Sequence, residues 1–367
     1  MKRDIQLKLK QLRVIIVTWI IAGFLITVYD HLLLHTGNSL GSSEEYSFLV
    51  SLARNVGAGL IGALLGGSLM VFYINVKYHD KPYGYTVLLV SVSFLLIVMF
   101  ITLLMGFVLV SLRVGNIFLH HQARAAFFAF LKDGSHTKAA LVWAFIVAIT
   151  QLLLQVNSRF GQDVFWSMMR GRYNTPKQEK RIFMFLDINS STSIAERLGD
   201  EKYHAFLKDF FADITYPILD NKGSIYQYVG DEVVVAWTYK NGIENMQCIK
   251  CFFDMKEHIQ LHKEKYLQRY GFVPTFKAGI HCGTVVGGEV GIMKKDFTYS
   301  GDVLNTTSRI LSKCDEFKEE IITSTDLLSQ MQTVKNYITR PLGEIKLKGK
   351  AKAVGLSAWM LDKELSF

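Results

Sequence analysis

The chain has 367 residues, four cysteines, 50% hydrophobic residues and a formal net charge of +9. This length allows two domains, and so few cysteines exclude a disulfide-rich scaffold. The mean hydropathy of +0.21 is high for a soluble protein. Because the apolar residues concentrate before about residue 158, we expect a membrane part followed by a soluble part.

The basic residues have local explanations that do not involve nucleic acid. They cluster at the N-terminus, after the last apolar segment and in a short run between Lys346 and Lys352. The first two clusters are typical of the cytoplasmic ends of membrane spans, and the third indicates a local binding site. We therefore predict no nucleic-acid partner.

Four apolar segments are each long enough to span a lipid bilayer, which requires about 20 residues. They are Val14–Leu34, Asn55–Val76, Pro82–Leu112 and Ala139–Ser158. The N-terminal arm, the second loop and the segment after the fourth span carry Lys and Arg, whereas the first loop carries none. The positive-inside rule therefore predicts a multi-pass protein of the cell (inner) membrane, with the N-terminus and the soluble domain in the cytoplasm.

The third loop, residues 113–138, does not fit this topology, because it should lie outside but carries four basic residues. These are Arg113, Arg124, Lys132 and Lys138. The middle of the loop, Ile117–Leu131, mixes basic residues with aromatic and aliphatic ones. This mixture predicts an amphipathic helix that lies at the membrane surface.

The second span is rich in glycine, and Gly62 and Gly66 form a G-x-x-x-G motif. Such a motif lets two helices approach each other closely. Packing within the membrane bundle is the simpler interpretation, and a contact between two copies of the chain is the alternative. No residue spacing near the spans is decisive for a bound ligand, so the ligand or partner of the membrane domain stays unidentified.

A connector joins the membrane spans to the soluble domain. Phe160–Glu179 contains bulky apolar residues such as Trp166, which a flexible tether normally lacks. The pattern predicts a short helix that ends before Pro176 and packs as a coupling element between protomers. The predicted boundaries are 1–158 for the membrane domain, 159–180 for the coupling linker and 181–367 for the soluble domain.

Apolar periodicity predicts a β-α-β-β-α-β order in the soluble domain. The elements are strand Arg181–Ile188, a helix from Ser193 to about Leu219 with Thr192 as its N-cap, strands Ser224–Val229 and Glu232–Trp237 around the turn Gly230-Asp231, helix Asn245–Arg269 and strand Thr275–Cys282. This order is the ferredoxin-like motif. The predicted fold is an α-helical membrane bundle of four transmembrane helices plus an α+β ferredoxin-like domain.

Two acidic residues stand at the ends of apolar strands in this motif. Asp187 comes at the exit of the first strand, and Asp231 lies in the hairpin turn 44 residues later. Because the first strand lies beside that hairpin, both carboxylates fall at one end of the sheet. Two adjacent carboxylates repel each other unless cations neutralise them, and a pair of magnesium ions is the usual solution in phosphoryl chemistry.

Four motifs in the soluble domain resemble the class III adenylate and guanylate cyclase catalytic domain. They are Phe185–Ile188, Tyr228–Glu232, Ser300–Arg309 and Leu347–Lys350, within about Arg181–Leu361. The resemblance implies a membrane-anchored adenylate cyclase, a phosphorus–oxygen lyase that converts ATP to 3′,5′-cyclic AMP and pyrophosphate. It also implies two Mg²⁺ or Mn²⁺ ions per active site, and a homodimer whose sites form between its two catalytic domains.

The same resemblance implies a role for each of eight residues. Asp187, the Ile188 carbonyl group and Asp231 would bind the metals; Asn305 would orient the ribose, Arg309 would stabilise charge on the α-phosphate and Lys348 would hold the terminal phosphates; Gln227 and Thr298 would read the base. A planar, permanently charged guanidinium suits the task implied for Arg309.

The two base-reading positions favour ATP but leave alternatives open. Thr298 favours adenine, whereas Gln227 stands where adenylate cyclases usually carry Lys, and an amide can donate or accept hydrogen bonds. A guanylate or dual-specificity cyclase is therefore one alternative. Another is a catalytically inactive membrane sensor that binds nucleotide, although the complete set of catalytic residues disfavours it. A diguanylate cyclase is disfavoured by Val229 and Val233, which flank the Gly-Asp-Glu sequence.

Overall fold

The computed structural model of the protein describes residues 2–36, 47–78, 81–114, 120–132, 134–160, 171, 175–293, 295–331 and 337–362. The chain forms two compact units that divide after Phe160. The short helix predicted in the connector before Pro176 lies outside the described residues.

Within the described part of the first unit, four helices are long and apolar enough to cross a membrane, as the sequence predicts. The spans contain the helices α1 (Lys2–Thr36), α2 (Phe48–Gly62), α3 (Tyr83–Val114) and α5 (Gly134–Phe160). A shorter helix, α4 (His121–Lys132), lies between α3 and α5 in the chain and is not one of the four. The second span continues beyond α2 as π-helical turns over Ala63–Gly67 and Leu69–Ile74 and a last α-helical turn, Asn75–Lys77. The direction in which the spans cross the membrane stays a prediction.

Trp19 lies at the centre of the first unit, where its side chain is only 1% exposed. Its indole nitrogen donates a hydrogen bond to the Thr150 hydroxyl at 3.0 Å. A Cβ atom at Gly59 would lie 2.6 Å from the Trp19 carbonyl oxygen, and one at Gly62 would lie 3.2 Å from the Trp19 ring. The glycines of the second span, including the motif that begins at Gly62, therefore allow close packing between helices of one chain.

Polar side chains also join the helices of the first unit. The Asn55 amide donates to the Thr27 hydroxyl at 3.0 Å, and the Gln151 amide donates to Asn75 at 2.8 Å. Lys138 forms an ion pair with Asp30. Hydrogen bonds between membrane helices contribute about 0.6–2 kcal/mol each, so these contacts also fix which helices are neighbours.

Helix α4 folds back against the end of α3. Ala123 is fully buried in a small cluster with Val110, and the Phe130 ring packs at Gly106, where a Cβ atom would lie 2.7 Å from it. The amphipathic helix predicted within Ile117–Leu131 is therefore present in its described part. Its position at the membrane surface stays a prediction.

The described part of the second unit contains one eight-stranded sheet with the strand order β2-β3-β1-β4-β6-β8-β7, and β5 pairs with β4 outside this path. The strands are β1 (Lys177–Ile188), β2 (Ser224–Val229), β3 (Glu232–Thr238), β4 (Phe276–Val290), β5 (Asp296–Ser300), β6 (Ile321–Ser324), β7 (Tyr337–Ile345) and β8 (Val354–Leu361). The first four strands pair antiparallel in the order β2-β3-β1-β4, which is the predicted ferredoxin-like arrangement.

Helices cover both faces of this sheet. They are α6 (Ser191–Leu198), α7 (Asp200–Asp220), α8 (Tyr239–Ile243), α9 (Gln247–Leu261), α10 (Lys263–Tyr270), α11 (Asp302–Leu311), α12 (Lys313–Phe317) and α13 (Thr325–Leu328), with a 3-10 turn at Glu244–Met246. Alternate residues of β1, such as Met184 and Leu186, share the main core with the aromatic side chains of α7 and α9. Phe183 points to the other face and packs with Val303 of α11. Because strand side chains alternate, Asp187 lies on the same face as Phe183.

Helix α11 approaches β4 closely because two residues of β4 lack side chains. A Cβ atom at Gly279 would lie 2.4 Å from the Leu311 backbone nitrogen, and one at Gly283 would lie 2.5 Å from Val303. Both separations are shorter than van der Waals contact, so larger residues would push the helix off the strand.

Four details of the predicted elements are wrong. The helix predicted from Ser193 to Leu219 is divided into α6 and α7 at Gly199, whose φ of +73° ends the first helix, as glycine often does. The N-cap of α6 is Ser190 rather than Thr192, and it makes no side-chain cap bond. The second long helix is also divided, at His262. The last predicted strand extends to Val290, because its glycines hid the apolar alternation.

Gly59→Leu should destabilise the first unit, because the added side chain would overlap the Trp19 backbone; overpacking of this kind costs about 1–3 kcal/mol. Gly57→Leu is the matched control, since a Cβ atom at Gly57 would meet nothing within 4 Å. Tryptophan fluorescence during heating of the detergent-solubilised protein should show a lower Tm for Gly59→Leu alone. Equal melting of the two variants would contradict this packing.

Candidate active site

The two acidic residues predicted at one end of the sheet lie together there. Asp187 is the penultimate residue of β1 and pairs in register with Lys277 of β4. Asp231 occupies the turn between β2 and β3, after Gly230, whose φ of +64° suits glycine. The two carboxyl groups lie close enough for Asp231 to raise the pKa of Asp187. The ferredoxin-like strand order thus brings together two residues that are distant in sequence.

Burial and mutual repulsion disturb the ionisation of this acidic end. Desolvation, followed by the hydrogen bond and charge of Asp231, raises the pKa of Asp187 to about 6, while Lys277 opposes the shift. Desolvation and the two neighbouring carboxylates raise the pKa of Glu232 to about 7. The site therefore holds more negative charge than its surroundings balance, a condition that a bound cation would relieve.

Lys277 and Glu232 are further components of this site, and no sequence motif indicated a role for either. The Lys277 ammonium lies 3.5 Å from Asp187 and 2.6 Å from Asp315, and its side chain is 15% exposed. Only the register between β1 and β4 places Lys277 opposite Asp187. Glu232 was visible in the sequence beside Asp231, but nothing in the sequence indicated that its carboxyl group would be half-buried.

The carboxylate pair fits a magnesium or manganese ion. Both metals prefer oxygen ligands, and Mg²⁺ is commonly held by one or two carboxylates together with waters and substrate phosphates. Among the described residues, no group of three or more His, Cys, Asp or Glu side chains is arranged to hold a metal. Two carboxylates are too few to surround a metal ion completely. They suit a metal site whose remaining ligands come from the phosphates of the substrate and from water.

Asn305 and Arg309 lie one turn apart on α11, so both project from the same side of the helix. The loop Leu347–Lys350 lies against Arg309, because a Cβ atom at Gly349 would be 3.3 Å from Arg309 Nη2. The exposed Lys348 directly precedes Gly349 in this loop.

Two anchors hold this loop on α11. Leu347 is 1% exposed and belongs to a cluster with Ile310 and Leu311. Lys350 forms an ion pair with Asp302 at the start of the helix, and its hydrogen bond lowers the pKa of the Asp302 carboxyl group. The three residues with implied catalytic roles, Asn305, Arg309 and Lys348, are thus assembled by one helix and one loop.

The predicted base-reading residues, Gln227 and Thr298, lie on strands β2 and β5. The residues next to them in the sequence, Tyr226 and Tyr299, are joined by a hydrogen bond. The Tyr299 backbone N–H donates to the Tyr226 hydroxyl at 3.0 Å. The two tyrosine rings are 5.2 Å apart. This contact brings the two base-reading positions into one region, although β2 and β5 are not neighbours in the sheet.

Asn305, Arg309 and Lys348, called the α11 group below, make their described contacts apart from the acidic pair. In the described part of the protein, no hydrogen bond or ion pair joins Asp187 or Asp231 to Arg309 or Lys348. Asp187 instead interacts with Asp231 and Lys277.

Comparison with known proteins identifies the second unit. Residues 174–362 match the family described as the adenylate and guanylate cyclase catalytic domain. The chain is 38% identical over 204 residues to adenylate cyclase 2 of Rhizobium meliloti (strain 1021), a match that covers 56% of each protein. It is 28% identical over 178 residues to adenylate cyclase 1 of the same strain, which covers 47% of this chain and 26% of that protein. The matches thus span about half or less of these relatives.

A solved structure of a bacterial light-regulated adenylyl cyclase shares the fold. It is 17% identical in sequence, with a TM-score of 0.52, and the alignment covers 63% of this chain and 67% of that one. The second unit therefore has the mixed sheet with helices that is found in solved cyclase structures.

Manganese binding to the nucleotide-free protein should weaken as the pH falls. The pKa of Asp187 is raised to about 6, so below that pH the metal must displace its proton, whereas above pH 7 the carboxylate is already ionised. Calorimetric titrations between pH 5 and 8 should show up to about a tenfold loss of affinity per pH unit below 6.

Two variants control this pH experiment. Asp187→Asn should abolish the pH-dependent binding, whereas Glu257→Gln on the distant helix α9 should leave it intact. Manganese affinity that does not change across this pH range would show that Asp187 is not a ligand.

Proposed function

The chain belongs to the adenylate and guanylate cyclase catalytic domain family, and we propose that it is a membrane-anchored adenylate cyclase that converts ATP to 3′,5′-cyclic AMP and pyrophosphate. The meeting of Asp187 and Asp231 at one end of the sheet carries this proposal. The resemblance to adenylate cyclase 2 of Rhizobium meliloti supports ATP as the substrate.

Asp187, Asp231 and the backbone carbonyl group of Ile188 are the proposed ligands of two Mg²⁺ or Mn²⁺ ions. Bound there, the ions would lower the pKa of the ribose 3′-hydroxyl and neutralise the triphosphate. The raised pKa of Asp187 supports this assignment, because burial and the neighbouring Asp231 disfavour its ionised form and a bound cation would offset both. Lys277 balances part of that charge.

The α11 group supplies the remaining proposed contacts with the substrate. Asn305 orients the ribose, so that the 3′-oxygen is in line with the α-phosphorus and the leaving pyrophosphate. Arg309 stabilises the charge that develops on the α-phosphate, and Lys348 holds the terminal phosphates. No covalent enzyme intermediate is needed, since positioning and charge stabilisation suffice for this class of transfer.

A homodimer is the proposed active form, with two equivalent sites formed between protomers. The resemblance to the cyclase catalytic domain family supports it. One protomer would contribute Asp187 and Asp231, and its partner would contribute the α11 group and the base-reading residues.

Gln227 and Thr298 are the proposed base-reading residues. The hydroxyl group of Thr298 can accept a hydrogen bond from the adenine amino group, and the Gln227 amide can donate or accept according to its orientation. Guanylate or dual-specificity activity follows if the amide turns to serve guanine, so the two nucleotides belong in one assay.

The proposed organisation comprises a membrane domain (1–158), a coupling linker (159–180) and a catalytic domain (181–367). The four long apolar helices support insertion in the lipid bilayer of the inner membrane. The basic segments support a cytoplasmic N-terminus and catalytic domain. We propose that a ligand or partner of the membrane domain regulates the enzyme through the linker.

The purified full-length protein should form cyclic AMP from ATP in the presence of manganese, and form cyclic GMP more slowly from GTP. Asp187→Ala should lower the rate by at least about a thousandfold, because the charge of the triphosphate and of the developing transition state would be left unbalanced. Glu257→Ala, which removes an exposed carboxylate on α9, should retain wild-type activity. A wild-type protein that leaves both nucleotides unchanged would refute the proposed activity.

A further inference from the structure

A partly buried ion pair lies at the start of the catalytic domain, away from the proposed metal site. Arg181 Nη2 is 3.0 Å from Glu179 Oε1, and the two side chains are only 11% and 14% exposed. Both residues lie on β1, two positions apart, and therefore on the same face of the sheet. Withdrawing much of both charged side chains from water costs free energy, and none of the proposed catalytic steps uses this pair.

The Arg181 guanidinium stacks on Tyr299 of β5. Its central carbon lies 5.2 Å from the centre of the tyrosine ring, a distance at which cation–π attraction is effective. The ring of Tyr299 also packs edge-on against Phe183 at 5.5 Å and against Phe297 at 4.9 Å. Tyr299 is thus held by an ion-paired arginine and by two aromatic neighbours.

A backbone hydrogen bond connects Tyr299 to strand β2. Its N–H donates to the Tyr226 hydroxyl at 3.0 Å. The register between β2 and β3 shifts between Ile225 and Gln227, so Tyr226 is the extra residue of a β-bulge. Bulges redirect a side chain, and this one points the Tyr226 ring at Tyr299, with the ring centres 5.2 Å apart.

We propose that Arg181, Tyr299 and Tyr226 are positioning residues that set the ATP-to-GTP preference of the site. Tyr299 follows Thr298, and Tyr226 precedes Gln227, so their contact fixes the separation of the two base-reading residues. Glu179 holds Arg181 in place. The inference rests on the proposed cyclase function and adds the residues that support its base recognition.

Base discrimination is sensitive to such a constraint. ATP and GTP differ at ring positions that exchange hydrogen-bond donors for acceptors, and a hydrogen bond requires about 2.7–3.2 Å between heavy atoms. If Gln227 and Thr298 move apart, hydrogen bonds to the base are lost while the metal ligands stay in place. The expected defect is therefore in KM and in nucleotide preference, with kcat nearly unchanged.

Tyr226→Phe is the central test, because it removes only the hydroxyl group that accepts the Tyr299 N–H. We expect the full-length variant to show roughly fivefold lower kcat/KM for ATP, mostly through KM; fivefold corresponds to one net hydrogen bond of about 1 kcal/mol. The ratio of kcat/KM for ATP to that for GTP should fall by at least about threefold. Tyr216→Phe, at an exposed tyrosine of α7, should change neither value.

Arg181 variants test the interaction between the guanidinium group and the Tyr299 ring. Arg181→Gln should lower the ATP-to-GTP ratio as Tyr226→Phe does, whereas Arg181→Lys, which keeps a cation beside Glu179 and Tyr299, should restore most of it. Manganese affinity should stay within about twofold of wild type for every folded variant, since no member of the contact binds the metal.

Direct nucleotide binding separates failure of this inference from failure of the proposed function. If the wild-type protein forms no cyclic nucleotide, the affinity ratio for the fluorescent MANT derivatives of ATP and GTP replaces the kinetic ratio. An unchanged ratio in Tyr226→Phe overturns the inference even when the wild-type enzyme is active. A protein that binds neither derivative overturns both proposals.

Discussion

The mutual repulsion of two carboxylates at one end of the sheet is the constraint on which the site depends. Burial, followed by the neighbouring Asp231, raises the pKa of Asp187 to about 6. Folding brings them together because β1 must lie beside the β2–β3 hairpin. The free energy of burying β1 in the core outweighs the repulsion, and the unbalanced charge is what the proposed divalent cations would neutralise.

The opposite faces of the sheet serve different purposes. One face packs against α7 and α9 and carries most of the apolar core. The other carries α11, which lies close to β4 because Gly279 and Gly283 have no side chains. On that second face, the ion pair between Lys350 and Asp302 and the contact between Tyr226 and Tyr299 hold the groups proposed to bind substrate. The face that carries Asp187 therefore has more polar contacts and a smaller apolar core than the opposite face.

Much of this architecture follows from local patterns in the sequence. The four spans could be predicted because length and apolar composition alone decide whether a helix can cross a bilayer. The meeting of Asp187 and Asp231 could be predicted because the β-α-β-β order determines which strands are neighbours. The break at Gly199 was missed because the apolar spacing continues through it, although a glycine in a helical pattern is a signal for an end.

The contacts that could not be predicted depend on the pairing register of strands that are distant in the sequence. Lys277 faces Asp187 only through the pairing of β1 with β4, and Tyr226 reaches Tyr299 only because a bulge shifts the register of β2. Neither depends on neighbours in the sequence. The resemblance to a known family supplied roles for Asn305, Arg309 and Lys348, whereas the supporting residues, such as Arg181 and Asp302, became visible only in the folded chain.

Activity of a mixed dimer tests most directly whether the acidic pair of one chain works with α11 of another. Asp187→Ala and Arg309→Ala chains with different tags can be co-expressed and purified through both tags. Each variant alone should be inactive, whereas the mixed dimer should recover about half of the wild-type activity, because one of its two sites is intact. A mixed dimer that is as inactive as its parents, or a failure to isolate any mixed dimer, would contradict a shared site.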